Sequence, residues 1–440
     1  MFYLNKEKEL DTELLNKMIS AFRLNVEPKL SKYKNYYDGV QKILQKTYVD
    51  ASKPCNKSVI NYCANIVNSY AGYIASPGFI SYQSNEDIED VMNILRYNDY
   101  QAQDADYLQD ALVYGVANEL MYIDNAGQTR FRLINPLSSF GVYDDSLTGD
   151  LLYFVRMYKE SEWDNTDTYN VDVYSDYDIK HYTMAGKNGY LEFKSEEPHY
   201  FSQCPVNIMV MPNEQSIFDC IMTLQDSVNE LLSAEIDDFA AFCDAYMVLE
   251  GVDADEEDFA RMKASRAAIL PNGAKMYYVT KNTNDTQVEN MLKRLHESIY
   301  RIAQCPDFSS ESFVGGVSSG VAIRYRLTGM ETRAGKIEAI MRKALQRRIE
   351  IICGIASLKL GEEVYRDIKI EFKRNVPEDE TTLINMVNAL TGRVSDATLL
   401  SQLPFIDDVN AELEALREQK AANMALYAFG ASESNEEESE

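Results

Sequence analysis

The segment VGGVSSGVAIRYRLTGMETRAGKIEA, residues 314–339, is the most informative part of the chain. It opens with Gly and Ser residues that follow no apolar period, which is typical of a loop. From Val321 onward, apolar residues recur every three or four positions as far as Ile352, which predicts a helix. At about 1.5 Å per residue, this helix is roughly 45 Å long. The segment therefore predicts a flexible loop that leads directly into a very long helix.

Helical and β patterns surround this segment in an unusual order. Before it, residues 213–245 and 285–304 carry helical apolar periods, and residues 246–284 between them predict short strands with a small acidic helix. After the long helix, a strand is expected within 357–377 and helices are expected within 378–430. The sequence therefore predicts three long helices that are separated by a small α/β insertion and by the loop.

The first half of the chain predicts a helical arm followed by a mixed module. Residues 1–54 have a charged, helical pattern, and residues 55–212 form the mixed module. Helical periods continue over 86–118, and the apolar period then changes to two residues, which is typical of strands. Because helices and strands occupy separate stretches and do not alternate, the pattern indicates the α+β class.

Composition and charge exclude several classes of protein. A chain of 440 residues with 45% hydrophobic residues is too long for a single small domain. The net charge of -27, from 70 acidic and 43 basic residues, argues against a freely diffusing DNA-binding protein. We expect a soluble protein without a cleaved signal, in a reducing compartment, because the seven cysteines form no C-x-x-C pair. The last ten residues, 431–440, predict a disordered acidic tail.

No motif for catalysis or cofactor binding is recognisable. The three histidines, His181, His199 and His296, are not at metal-ligand spacing, and the Gly/Ser segment lacks the G-K-[ST] ending of a phosphate loop. The acidic run at 253–258 lacks the ligand spacing of a calcium loop and favours the first turn of a short helix. We therefore expect no enzymatic activity, no metal and no cofactor. A nuclease built on carboxylates is the least favoured alternative.

The long predicted helix is strongly basic in an otherwise acidic chain. Between residues 324 and 348 only Glu331 and Glu338 are acidic, whereas eight residues are basic. The basic residues are Arg324, Arg326, Arg333, Lys336, Arg342, Lys343, Arg347 and Arg348. They can form a solvated helix face, bind acidic surfaces of neighbouring subunits, or face DNA phosphates. The sequence leaves these interpretations open, with subunit pairing slightly favoured by the negative total charge.

The order of elements resembles that of the portal, or head-to-tail connector, proteins of tailed bacteriophages. The strongest local match is the segment at 314–339, in which the residues that fit the family's tunnel-loop pattern are Gly315, Gly316, Ser318, Ser319 and Gly320. Weaker matches are NYCANIVNSYAGYIASPG at 61–78 and INPLSSFGVYDD at 134–145. The resemblance covers nearly the whole chain and is closest to the portals of siphoviruses that infect Gram-positive bacteria.

The resemblance implies a portal-type division of the chain. Its parts, in chain order, are an N-terminal arm (1–54), a wing (55–212), a stem helix (213–245), a clip (246–284), a second stem helix (285–304), a tunnel loop (305–320), a long wing helix (321–356), a returning wing strand (357–377) and a crown (378–430). The tunnel loop would line a DNA channel.

The resemblance also implies partners and a location. Portal proteins form homo-oligomeric rings, usually of about twelve subunits, that pass double-stranded DNA and bind the terminase, the head-tail adaptor, and the capsid and scaffolding proteins. The location implied is the capsid portal vertex of the virion, after assembly in the host cytoplasm, with no membrane partner. The alternative is another viral assembly or scaffold protein that has a helical core but no DNA channel.

Overall fold

The computed structural model describes most of the chain and divides it into two units. The residues described are 2–48, 54–160, 167–187, 189–243, 246–251, 255, 257, 261, 273–279, 285–309, 320–355, 364–374, 387–400, 409 and 412–420. The first unit contains the described residues within 1–317 and 324–375, and the second contains those within 318–323 and 376–440. The mixture of separate helical and β regions agrees with the predicted α+β class.

The N-terminal arm begins with a strand, so the prediction of a purely helical arm is wrong. Strand β1 (Phe2–Leu4) pairs in parallel with β5, far along the chain. Helix α1 (Thr12–Ala21) follows, with the Asp11 carboxylate accepting the Leu14 N–H at 2.7 Å as its N-cap. A π-helical turn then leads into α2 (Glu27–Tyr37).

The mixed module is built from three helices, a six-stranded sheet that is antiparallel except at β1, an antiparallel three-stranded sheet, and β2, which pairs with a later strand. Its helices are α3 (Tyr62–Ile74), α4 (Glu89–Tyr97) and α5 (Tyr100–Tyr114). Its strands are β2 (Ile80–Gln83), β3 (Val116–Ile123), β4 (Thr129–Ile134), β5 (Ser139–Asp144), β6 (Leu151–Lys159), β7 (Thr168–Tyr174), β8 (Asp178–Ala185), β9 (Leu191–Pro198) and β10 (Val206–Val210). The six-stranded sheet has the order β1-β5-β6-β7-β8-β9, and the three-stranded sheet has the order β10-β3-β4.

The core of this module lies where the two sheets meet. Leu120 and Ile134 come from the three-stranded sheet, and Phe154 and Tyr174 come from the six-stranded sheet; all four side chains are buried in one cluster. Burial alternates along the first four residues of β4, whereas five successive residues of β3, 117–121, are buried. The predicted switch from helical to strand period after residue 118 falls inside β3, because α5 ends at Tyr114 and β3 begins at Val116.

Three long helices follow, and the first is shorter than predicted. Helix α6 (Met222–Cys243) has 22 residues and begins nine residues after the predicted start. The chain before it is bound to the C-terminal end of α5: the Ile217 N–H and the Ser216 hydroxyl both donate to the Leu112 carbonyl. The backbone of residues 214–215 also lies so close to Gly115, whose φ is +80°, that a Cβ there would clash. These contacts hold residues 211–217 outside α6, with only a 3-10 turn at Pro212–Glu214.

The remaining elements agree closely with the predicted order. Strands β11 (Tyr246–Glu250) and β12 (Lys275–Val279) form an antiparallel pair between α6 and α7 (Asp285–Ala303). Helix α8 (Gly320–Cys353) has 34 residues, and β13 (Lys369–Phe372) returns to pair with β2. In the second unit, α9 (Asp396–Leu400) and the stretch 412–420 are helical, whereas the acidic tail lies outside the described residues.

A row of buried polar side chains on α6 holds an extended segment of the chain. The side chains of Gln225, Asn229, Ser233 and Asp237 accept the backbone N–H groups of Tyr62, Ile60, Ser58 and Asn56, respectively, at 2.7–3.0 Å. Four residues of helix rise about 6 Å, and two residues of extended chain span about 6.6 Å, so the two repeats coincide. This polar ladder, defined by these eight residues, fixes residues 56–62 along α6.

Removing one rung of the ladder should destabilise the fold. Asn229 is fully buried, and its side chain bonds both Ile60 and Gln41. Asn229→Ala leaves buried polar groups without partners, so we expect the free energy of unfolding to fall by about 1–3 kcal/mol. Urea unfolding followed by circular dichroism measures this change. The matched control is Ser227→Ala, an exposed position on the same helix; an equal loss in both variants would contradict the role of the ladder.

Candidate functional site

The predicted tunnel loop joins the ends of α7 and α8. Gly315, Gly316, Ser318 and Ser319 lie outside the described residues, and Gly320 is the first residue of α8. The described part of the predicted loop is therefore its root at residues 305–309, where Cys305 is buried. In the sequence, the Gly/Ser segment lies between α7 and α8.

The root of the loop is held by a hydrogen-bonded chain through His296. The Nδ1 atom of His296 lies 2.9 Å from the Tyr62 hydroxyl, and its Nε2 atom lies 2.9 Å from the Asp307 carboxylate. Asp307 also accepts the backbone N–H and the hydroxyl of Ser309, at 3.0 and 2.6 Å. The root is thereby fixed to α3 and α7. No sequence pattern links His296 to Tyr62, because the two residues are 234 positions apart in the chain.

Arg333 fastens α8 to the end of α7. Its guanidinium donates to the carbonyl oxygens of Ala303 and Ile217, both at 2.7 Å, and it lies 5.6 Å from the centre of the Tyr70 ring. A helix leaves its last carbonyls without intrahelical partners, and Arg333 satisfies one of them at the end of α7. Both donor interactions are therefore made inside the subunit.

Arg348 is a buried residue, which corrects the prediction that it contacts DNA or a neighbouring subunit. Its side chain is fully buried and forms an ion pair with Asp104 of α5. Two further bonds of 2.8 Å join it to the carboxylate of Glu119 on β3, and the Phe131 ring lies 4.6 Å away. A guanidinium presents a planar fork that suits such bidentate pairing. We call Arg348, Asp104 and Glu119 the buried triad.

Burial changes the protonation of the triad. Desolvation raises the pKa of Asp104 from its ordinary value of 3.8 to about 6, although the nearby Arg348 opposes the rise. The carboxylates of Asp104 and Glu119 raise the pKa of Arg348 well above its ordinary value, so the guanidinium stays a cation. Two carboxylates share one guanidinium, and proton uptake at Asp104 relieves part of the excess negative charge.

The acidic residues of α8 are paired with a basic residue from outside the helix. Arg374, which follows β13, lies 3.0 Å from Glu331 and 2.5 Å from Glu338. Glu338 also bonds Arg342 at 2.5 Å, and Arg347 pairs with Glu350 at 2.9 Å. These pairs neutralise both carboxylates that the sequence placed among the eight basic residues. The surface of α8 therefore remains positive.

The eight basic residues of α8 fall into three groups. Arg333 and Arg348 make internal bonds, and Arg342 and Arg347 form ion pairs at the surface. Arg324, Arg326, Lys336 and Lys343 are exposed. Among the residues that the structure describes, Arg324, Lys336 and Lys343 have no carboxylate partner.

The described residues give no sign of a metal or membrane site. Within them, no group of three or more His, Cys, Asp or Glu side chains is placed to hold a metal ion. In the same part of the chain, no helix has both the length and the apolar character needed to cross a bilayer.

Comparison with known protein families gives one match that covers most of the chain. The sequence model of the family described as "Phage portal protein, SPP1 Gp6-like" matches residues 23–425 of the 440. No curated protein matches this sequence. The matched range includes the three-stranded sheet, the six-stranded sheet apart from β1, the three long helices and the segment between α7 and α8.

Breaking the buried triad should cost more stability than breaking a surface ion pair. Arg348→Met leaves Asp104 and Glu119 buried without their cation, for which we expect a loss of about 3–5 kcal/mol in the free energy of unfolding. The matched control is Arg347→Met at the neighbouring position, whose half-exposed pair with Glu350 contributes about 0–1 kcal/mol. Urea titration of both variants tests the comparison, and equal losses would show that the triad is not a major anchor.

The raised pKa of Asp104 predicts a pH-dependent difference from an uncharged variant. Asp104 binds its proton more tightly in the folded chain than in the unfolded chain. Its contribution to stability is therefore greatest below about pH 4 and is lost as pH rises through about 6. Relative to Asp104→Asn, wild type should lose on the order of 3 kcal/mol between these limits. Unfolding free energies measured from pH 4 to pH 7 give this difference; a difference that is flat or rises with pH would exclude the assignment.

Proposed function

The chain belongs to the SPP1 Gp6-like family of phage portal proteins, and on this premise we propose that its copies form a ring around a channel for double-stranded DNA. The ring would contain about twelve subunits and occupy one vertex of the capsid. The observation that carries this proposal is the order of elements within the matched range, in which α7, a Gly/Ser segment and the 34-residue α8 follow one another. The proposed host class is Gram-positive bacteria infected by siphoviruses.

The charge of the chain supports a channel through which DNA slides. A protein that binds many phosphates holds DNA tightly, because each contact releases counterions. A wall with the excess negative charge of this chain, -27 per subunit, repels the duplex and leaves few attachment points. We infer that contacts with DNA are confined to the segment that contains Gly315, Gly316, Ser318, Ser319 and Gly320.

The proposed parts of the portal correspond to the elements of the fold. We assign the stem to α6 and α7, the clip to the region of β11 and β12, and the wing to the two sheets with α8 and β13. The crown is assigned to residues 378–430. In this assignment the clip binds the terminase during packaging and the head-tail adaptor afterwards, and the outer surface contacts the capsid and scaffolding proteins. Packaging is driven by a separate ATPase, and this chain has no catalytic role.

Electron microscopy of the purified protein tests the proposed ring. We expect end-on averages of negatively stained particles to show rings of about twelve subunits with an open centre wide enough for a DNA duplex. Mass photometry in the same buffers gives an independent subunit number. Monomers or small closed oligomers at every salt concentration would contradict the proposal and favour a viral assembly protein without a DNA channel.

A further inference from the structure

Charge is strongly segregated between two of the long helices. Residues 195–260, which include α6, contain sixteen Asp and Glu residues and no Lys or Arg. Residues 324–348 of α8 contain eight basic residues and two acidic ones, and Arg374 forms ion pairs with both acidic residues. Each subunit therefore carries one helix that is only acidic and one whose surface is positive.

The positive surface of α8 is concentrated on one open face. Lys336 and Lys343 are seven residues apart, so they lie two turns apart on the same side of the helix. Tyr325, with 77% of its surface exposed, Gly329 and Thr332 continue this side towards the start of the helix. A methyl group placed on Gly329 would have no atom within 4 Å. We call these five residues the open face of α8; all five are exposed, and Lys343 borders a cleft that Asp150 and Asp176 also line.

The two lysines of the open face differ from the arginines beside them. Arg342 and Arg347 are paired with carboxylates of their own helix, whereas Lys336 and Lys343 have no such partner among the described residues. A chain with so large an excess of acidic residues has many carboxylates that could pair with them. That both lysines stay unpaired on an exposed helix face indicates a partner with negative charge.

Helix α6 carries a matching acidic face. Thr223, Ser227 and Glu230 form an exposed face of α6 beside the polar ladder. Glu230 has no cationic partner in the described part of the chain. Ala234, one turn later on the same side of the helix, has a small side chain, so a second helix can approach Glu230 closely.

We propose that, in the ring, the open face of α8 binds the acidic face of α6 of the adjacent copy. This inference rests on the proposed function, since it needs a ring of identical subunits. The two faces are different surfaces of one chain, so each copy offers one face to each neighbour, as a closed ring requires. Each exposed ion pair contributes little alone, but reversing a charge replaces attraction with repulsion at every interface of the ring.

The first test reverses the charge of the open face. In buffer of physiological salt, we expect wild type to form rings and Lys336→Glu/Lys343→Glu to remain as folded subunits, as measured by mass photometry with circular dichroism as the check on folding. The matched control is Arg324→Glu, which makes the same change on the same helix but lies about 120° around it. This control should form rings as wild type does. Rings of normal size in the double variant overturn the proposal.

The second test exchanges the charges across the interface. Glu230→Lys alone should lose rings, and Glu230→Lys added to the double lysine variant should restore at least part of the ring population. Failure to restore rings from folded subunits overturns the assignment to α6. If the variants form normal rings that no longer package DNA, the lysines contact DNA, and the pairing of α8 with α6 is overturned as well. If the double variant misfolds, Lys336→Ala/Lys343→Ala replaces it, with rings expected to dissociate at lower salt than wild type.

These outcomes are distinct from failure of the proposed function itself. If wild type forms no ring under any condition, the portal assignment fails before the variants are compared. If wild type forms rings and the variants do not respond as stated, the ring stands and the pairing of α8 with α6 is wrong.

Discussion

The guanidinium of Arg348 is the interaction that fixes the long helix α8 in the first unit. It ties α8 to α5 through Asp104 and to β3 through Glu119, in a site from which water is excluded. Moving the helix by one residue would leave three buried charges without partners, and removing one partner of a buried ion pair typically costs about 3–5 kcal/mol. The position and rotation of α8 therefore follow from the triad. So does the direction in which Lys336 and Lys343 point.

The polar ladder on α6 acts in the same way for the stem side of the fold. Backbone N–H groups of an extended segment have no sheet to join, and buried donors without partners are rare in folded proteins. The α6 side chains supply acceptors at the repeat of that segment. The ladder thereby sets the rotation of α6, and with it the direction in which Glu230 points. Two networks of buried polar groups thus orient the two helices whose charges are opposite.

Sequence patterns predicted the helices well and the polar networks poorly. The apolar period located α7 within one residue of its ends, because that period records burial directly. The start of α6 was missed because residues 211–217 are held by the end of α5, a contact that no local pattern encodes. Arg347 and Arg348 are neighbours in one basic run, and only the fold separates the exposed residue from the buried one. The spacing of Gln225, Asn229, Ser233 and Asp237 was the available sign of the ladder.

The chain of hydrogen bonds at the loop root has a mechanical consequence. Because Asp307 is bound to His296, and His296 to Tyr62, a pull on the chain beyond Ser309 is carried into α3 and α7 and not absorbed at the start of the loop. The other end of the segment leads into α8, which Arg333 joins to the same end of α7. The loop root and α8 are therefore both tied to the C-terminal end of α7, and a load on the root is shared by α3 and α7.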